Sequence, residues 1–127
     1  MADRPEDGKI TMEGFSDFAI EKKDGDLWIT LPDSINMDNY QQIESRVESI
    51  LNADIGRVII DLGKTKNMYS AGFGLIVRLK KRIDDCKGTL YLVNVSPKTA
   101  EGLHGVGLDR IMRVYEQGKS PDFSKDE

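Results

Sequence analysis

One cysteine, Cys86, and one histidine, His104, are all the chain holds of those two residue types. A lone thiol excludes a disulfide within the chain, and one thiol with one imidazole cannot assemble a zinc site of the usual Cys/His kind. No apolar run approaches the roughly 20 residues of a membrane helix, and the opening MADRPEDGKITMEG has no apolar stretch of the kind a secretion signal carries. The expected setting is a reducing cytoplasm, with no membrane contact. An excess of one charge is also missing, since 18 basic residues face 22 acidic ones for a net −4. The densest basic run, Arg78 to Arg82, falls inside a helical apolar pattern and reads as a solvated face. Nucleic acid, which needs a concentrated basic surface, is not an expected partner.

What is present is enough for one modest core: 127 residues, 39% of them hydrophobic. Residues 1–14 are acidic, contain Pro5 and two glycines, and show no period, so they are expected to be a flexible tail. Residues 15–116 carry the periodic pattern of a single domain, and residues 117–127 read as a second flexible tail. Phe18 and Ile20, then Leu27, Ile29 and Leu31, alternate with other residues around Asp24-Gly25, which predicts a hairpin. Tyr40, Ile43, Val47, Ile50 and Leu51 recur at helical spacing, with Asn36 or Asp38 as cap candidates. Val58, Ile59, Ile60 and Leu62 form the short β-branched run of a strand covered on both faces. A second helix opens at Ser70, carries the stripe Gly72, Leu75, Ile76, Leu79, Ile83 and Cys86, and stops near Gly88. Leu90, Leu92 and Val93 make a strand. Ser96-Pro97 starts a short helix that Gly102, Gly105 and Gly107 should break up, and Ile111 to Tyr115 is a last strand. The order β-β-α-β-α-β-α-β predicts an α/β domain with a mixed, mostly parallel sheet and packed helices.

Motifs for catalysis fail on inspection. Gly63-Lys64-Thr65 resembles the end of a phosphate-binding loop, but the glycine that loop needs five residues earlier is Val58, inside a strand. Gly72-Phe73-Gly74 begins a dinucleotide fingerprint whose third glycine position holds Val77. His104 has no matching nucleophile, Cys86 lies on an apolar stripe as an inert thiol, and Asp84-Asp85 point apart towards solvent. Asp61 is the best single carboxylate but has no partner visible in the sequence. The expectation is a protein without cofactor, metal or catalytic residues; a small nucleotide-binding domain is the least favoured alternative.

The remaining signal is at the start of the second helix. Its first turn holds Ser70, Ala71, Gly72 and Gly74, where free N–H groups and the helix dipole favour an anion. The Ser70 hydroxyl is either a plain N-cap or a place where phosphate can be attached. Phe73 and Val77 lie about 110–150° from the centre of the core stripe and share a side with Tyr69. Two readings stand for them: a partner-binding patch, or packing against a neighbouring helix.

Three segments together are similar to the STAS domain, and within it to bacterial anti-sigma factor antagonists. These are Asp61 to Gly74 (DLGKTKNMYSAGFG), Gly88 to Pro97 (GTLYLVNVSP), and Gly107-Leu108 leading into Ile111 to Tyr115. The resemblance implies a non-enzymatic switch protein that binds an anti-sigma factor serine kinase and thereby releases a sigma factor. That kinase then phosphorylates the serine matching Ser70, and a serine phosphatase reverses it. Tyr69, Ser70, Phe73 and Val77, with Lys64, Lys66 and Asn67 of the preceding loop, are the implied partner-binding residues. The chain departs from the family pattern at Tyr69, where an aspartate is usual, and at Ala71, where a second hydroxyl is frequent. The alternative is a STAS scaffold subunit that associates with further STAS domains, its own copies included, without modification of Ser70.

Overall fold

A computed structural model describes residues 8–11 and 18–121, with side chains from 18 onward. Eight strands and three helices follow one another: β1 (Gly8–Thr11), β2 (Ala19–Lys23), β3 (Asp26–Thr30), β4 (Ser34–Ile35), α1 (Tyr40–Glu48), β5 (Arg57–Asp61), β6 (Asn67–Met68), α2 (Ser70–Asp85), β7 (Thr89–Val95), α3 (Pro97–Gly105) and β8 (Arg113–Glu116). The main sheet has the order β1-β2-β3-β5-β7-β8. Strands β3, β5, β7 and β8 are parallel, and β1 and β2 are antiparallel to their neighbours. The predicted mixed, mostly parallel α/β architecture is the one observed. The β2–β3 turn places Asp24 (φ 55°) and Gly25 (φ 86°) in the left-handed region, as the favoured two-residue hairpin requires.

Alternation along the parallel strands sorts their side chains into two layers. Leu27, Ile29, Val58, Ile60, Leu90 and Leu92 join Ile43 and Val47 of α1, Leu75, Ile76, Leu79 and Ile83 of α2, and Leu103 of α3 in one buried cluster. The helices therefore share one face of the sheet. Ile59, Tyr91 and Val93 form a second buried cluster on the other face, with Tyr115 packed against it. The Tyr91 and Tyr115 rings stack at 6.4 Å, and the Arg113 guanidinium lies 5.6 Å from the Tyr91 centroid. Trp28, paired with Ile59 in the ladder, belongs to this second face and is 37% exposed. The continuous apolar run of β5 thus has its predicted cause, burial on both sides.

Several local expectations need correction. Part of the segment expected to be a loose tail is strand β1, because the outer edge of β2 offers an unpaired ladder that backbone can join without an apolar period. Residues 1–7, 12–17 and 122–127, which fall within or beside the two expected tails, lie outside the described residues. Neither Asn36 nor Asp38 caps α1. The helix starts after Asn39, whose Oδ1 instead accepts from the Asn36 N–H (2.9 Å) while Asn36 Oδ1 accepts from the Asp38 N–H (2.9 Å). Helix α2 stops near Gly88 as expected, and the left-handed residue at its end is Lys87 (φ 66°). The Lys87 N–H donates to Asp84 O and the Gly88 N–H to Ile83 O, each at 2.9 Å, which closes a Schellman motif. Gly88 is needed for space, since a Cβ there would meet Ile55 O at 3.2 Å. Cys86 is partly buried at this helix end rather than in the core. Gly102 does not break α3, because the Phe73 ring occupies the volume where its Cβ would stand. Ser96 caps α3 as predicted, accepting from the Thr99 N–H at 3.2 Å. The last strand begins only at Arg113, after a 3₁₀ turn at Leu108–Arg110 that leaves Ile111 exposed.

Candidate functional site

The ends of β3 and β5 each lead into a loop, and the two loops meet above the start of α2. Pro32 to Asn39 follows β3, and Leu62 to Tyr69 follows β5. They are joined by a two-rung parallel ladder, Ser34 beside Asn67 and Ile35 beside Met68. Backbone bonds extend it: the Lys66 and Asn67 N–H groups both donate to Asp33 O (2.8 and 3.0 Å), and the Tyr69 N–H donates to Ile35 O (3.3 Å). Thr65 is 4% exposed, and its hydroxyl donates to Pro32 O at 2.8 Å. That hydroxyl is committed to holding the two loops together, which is a physical reason why Gly63-Lys64-Thr65 is not a phosphate loop.

Asp61, without a visible partner in the sequence, has two. Its Oδ1 accepts from the Gly63 N–H (2.8 Å) and from Asn94 Nδ2 (3.0 Å). The carboxylate is therefore part of the loop's anchorage. Gly72 finishes the arrangement, since a Cβ there would meet Met68 Cγ at 2.5 Å and Ile35 Cβ at 3.2 Å. Its absence lets α2 seat directly on the small ladder.

On this base Ser70 is the first residue of α2 and is exposed. It is not the N-cap. That position belongs to Tyr69, in extended backbone (φ −73°, ψ 179°), whose carbonyl accepts from the Gly72 N–H at 2.7 Å and the Phe73 N–H at 3.2 Å. No side chain caps the helix. Tyr69 is 56% exposed, and Lys64, Lys66 and Asn67 are exposed along the loop that leads to it. Val77, two turns into α2, is 42% exposed on the side of the helix that carries Ser70. Phe73 departs from this group: it is partly buried, packs against the core, and rests its ring on Gly102 of α3. Of the two readings for the pair, packing against a helix holds for Phe73 and an outward position for Val77. The helical wheel could not separate them, because the place of α3 is a tertiary fact.

Sequence reasoning missed Met37, which is 74% exposed in the first of the two joined loops. A lone methionine between polar residues gives no periodic signal, and two-residue strands leave none that would bring residues 33–39 to Ser70. Among the described residues no group of three His, Cys, Asp or Glu side chains could hold a metal ion, and no helix is long and apolar enough to cross a membrane. The basic run on α2 is a solvated face as expected: Arg78 and Arg82 pair with Glu44 and Glu48 of α1, and Lys80 with Asp84. The hydrogen bond to Glu48 raises the Arg82 pKa further above an already high value. His104 sits at the exposed end of α3 with its ring 2.8 Å from Asp109.

The STAS domain family pattern matches residues 17–120, nearly the whole described chain. The chain belongs to the STAS domain family. Among curated proteins it is 28% identical over 82 residues to BtrV of Bordetella bronchiseptica, named as an anti-sigma factor antagonist; the match spans 65% of this chain and 71% of that protein. Its fold is shared by solved structures, of which two are informative. One, from Thermotoga maritima and also named as an anti-sigma factor antagonist, is 22% identical at TM-score 0.69, covering 86% of this STAS chain and 90% of that one. The other is the Bacillus cell fate determinant SpoIIAA in its phosphorylated form, 20% identical at TM-score 0.64, covering 86% and 96%.

Proposed function

We propose that this STAS protein is a non-enzymatic anti-sigma factor antagonist of the cytoplasm. It binds a kinase-type anti-sigma factor through the surface around Ser70 and so frees a sigma factor. The kinase phosphorylates Ser70, and a serine phosphatase restores the binding form. The observation that carries this reading is the state of Ser70: exposed, at the first position of a helix, with its hydroxyl in no hydrogen bond among the described residues. Tyr69, Met37 and Val77 give the same surface exposed apolar anchors, and Lys64, Lys66 and Asn67 form a polar border. The kinship with BtrV and the existence of a phosphorylated SpoIIAA support it further.

The energetics of such a switch are local. Phosphate adds nearly two negative charges. At a helix N-terminus these are tolerated, or stabilising by up to about 2 kcal/mol, so the fold survives. Pressed into an apolar interface beside Tyr69 and Val77, the same dianion loses its water at a cost of several kcal/mol. Each 1.4 kcal/mol or so is tenfold in affinity, so release requires no refolding.

Incubation with the kinase partner and ATP, followed by intact mass, is expected to add one phosphate that a Ser70→Ala variant does not acquire. Ser70→Asp should keep its circular dichroism and melting point while losing the partner at least tenfold; full binding by that variant would sink release by local charge. The scaffold reading draws on Tyr69 and Ala71, which replace the usual acid and second hydroxyl. Binding without any phosphate on Ser70 would favour it.

A further inference from the structure

Strand β7 is irregular at one point. Its ladder with β8 runs Tyr91 to Arg113 and Leu92 to Val114, then resumes only at Val95 opposite Glu116. Within the interruption Asn94 has φ 55°, in the left-handed region. A non-glycine residue pays for that conformation unless its side chain recovers the cost locally, and asparagine is one of the few that can. The Asn94 amide is instead engaged across the sheet, donating to Asp61 Oδ1 at 3.0 Å. The same oxygen receives the Gly63 N–H at 2.8 Å, and the corner between them has no spare volume. A Cβ on residue 63 would stand 3.0 Å from Asp61 Oδ1 and 3.4 Å from Asn94 Cβ.

We infer that Asn94 is a positioning residue for the loop that presents Ser70: the bulge in β7 aims its amide at Asp61, and Asp61 in turn fixes where the loop leaves β5. Among the described residues Asn94 makes no hydrogen bond to Ser70 or to the exposed anchors around it; it acts through the carboxylate. The later anchors of the loop, Thr65 on Pro32 and the paired N–H groups on Asp33 O, hold its middle and its end. Asn94 and Asp61 hold its beginning. The consequence for partner recognition rests on the function proposed above. The ordering of the loop does not.

Asn94→Gly separates the two roles of the residue, because glycine keeps the left-handed backbone and removes only the amide. Amide hydrogen exchange followed by NMR is expected to quicken roughly tenfold at Gly63 and Thr65, whose N–H groups donate to Asp61 Oδ1 and Leu62 O, the size of one charge-assisted hydrogen bond, with Ile60 and Leu92 unchanged. No change at Gly63, or an equal increase along β5 and β7, would overturn the inference. Asn94→Asp sets two carboxylates against each other and should loosen Gly63 further. Asp61→Ala removes the shared acceptor, so adding Asn94→Gly to it should quicken the Gly63 exchange no further; an additive increase would count against the pairing. None of these measurements uses a partner, so an absent anti-sigma factor would defeat the functional reading and leave this one standing. With a kinase partner that binds the wild type, Asn94→Gly should weaken binding about fivefold although every exposed contact residue is intact. Unchanged affinity beside faster exchange would overturn the link to recognition.

Discussion

Thr65 illustrates how a side chain can carry the lettering of one chemistry and the duty of another. Its neighbours spell the end of a nucleotide-binding loop, yet its hydroxyl is buried and donates to Pro32 O. Thr65→Val keeps the shape and leaves that carbonyl without its donor, so stability should fall by about 1–2 kcal/mol. A urea titration would register this as an earlier midpoint with an unchanged slope; an unaltered midpoint would mean that the bond contributes nothing. The residues read correctly from sequence are those whose role depends on near neighbours in the chain, such as Ser96 capping α3 or Asp24-Gly25 turning the hairpin. Ser70 as the first exposed residue of α2 belongs with them. Asp61 and Asn94 were illegible because their partnership spans 33 positions and depends on a bulge that no spacing rule announces.

Helices and the β2–β3 hairpin were legible because each repeats its apolar residues at its own period, and β5 because its apolar run is continuous. Strands β4 and β6, two residues each, are too short to have a period, and the sequence of β1, GKIT, carries none. That is why the surface around Ser70 could be drawn from α2 and its approach loop but not from the loop holding Met37. Contact between α2 and α3 shows the same limit, since Gly102 reads as a breaker until the ring of Phe73 is placed upon it. Gly102→Ala puts a methyl where the Phe73 Cζ stands 2.8 Å away, so α3 must shift or the ring must turn. Although alanine is the better helix former, a net loss of about 1–3 kcal/mol is expected, seen as a melting point lower by roughly 5 °C or more. A variant that melts higher would show that intrinsic helix preference outweighs the contact.

Across the whole molecule, the helices cover one face of the sheet, and the surface around Ser70 lies beyond the ends of β3 and β5. Trp28, the sole tryptophan, stands on the opposite face beside Ile59. Partner binding around Ser70 should leave its emission maximum unmoved, and a clear shift would place the contact elsewhere or reveal a change running through the sheet. The two joined loops differ from the rest of this architecture in how they are secured. Lys66, Asn67 and Tyr69 are held by their main-chain N–H groups, on Asp33 O and Ile35 O, while their side chains stand in solvent. Under the proposed function, stability and recognition are thereby assigned to different atoms of the same residues. Duplicated genes could drift apart at these three positions while each product still folds, and a cell could insulate several parallel pathways from one another with a single scaffold.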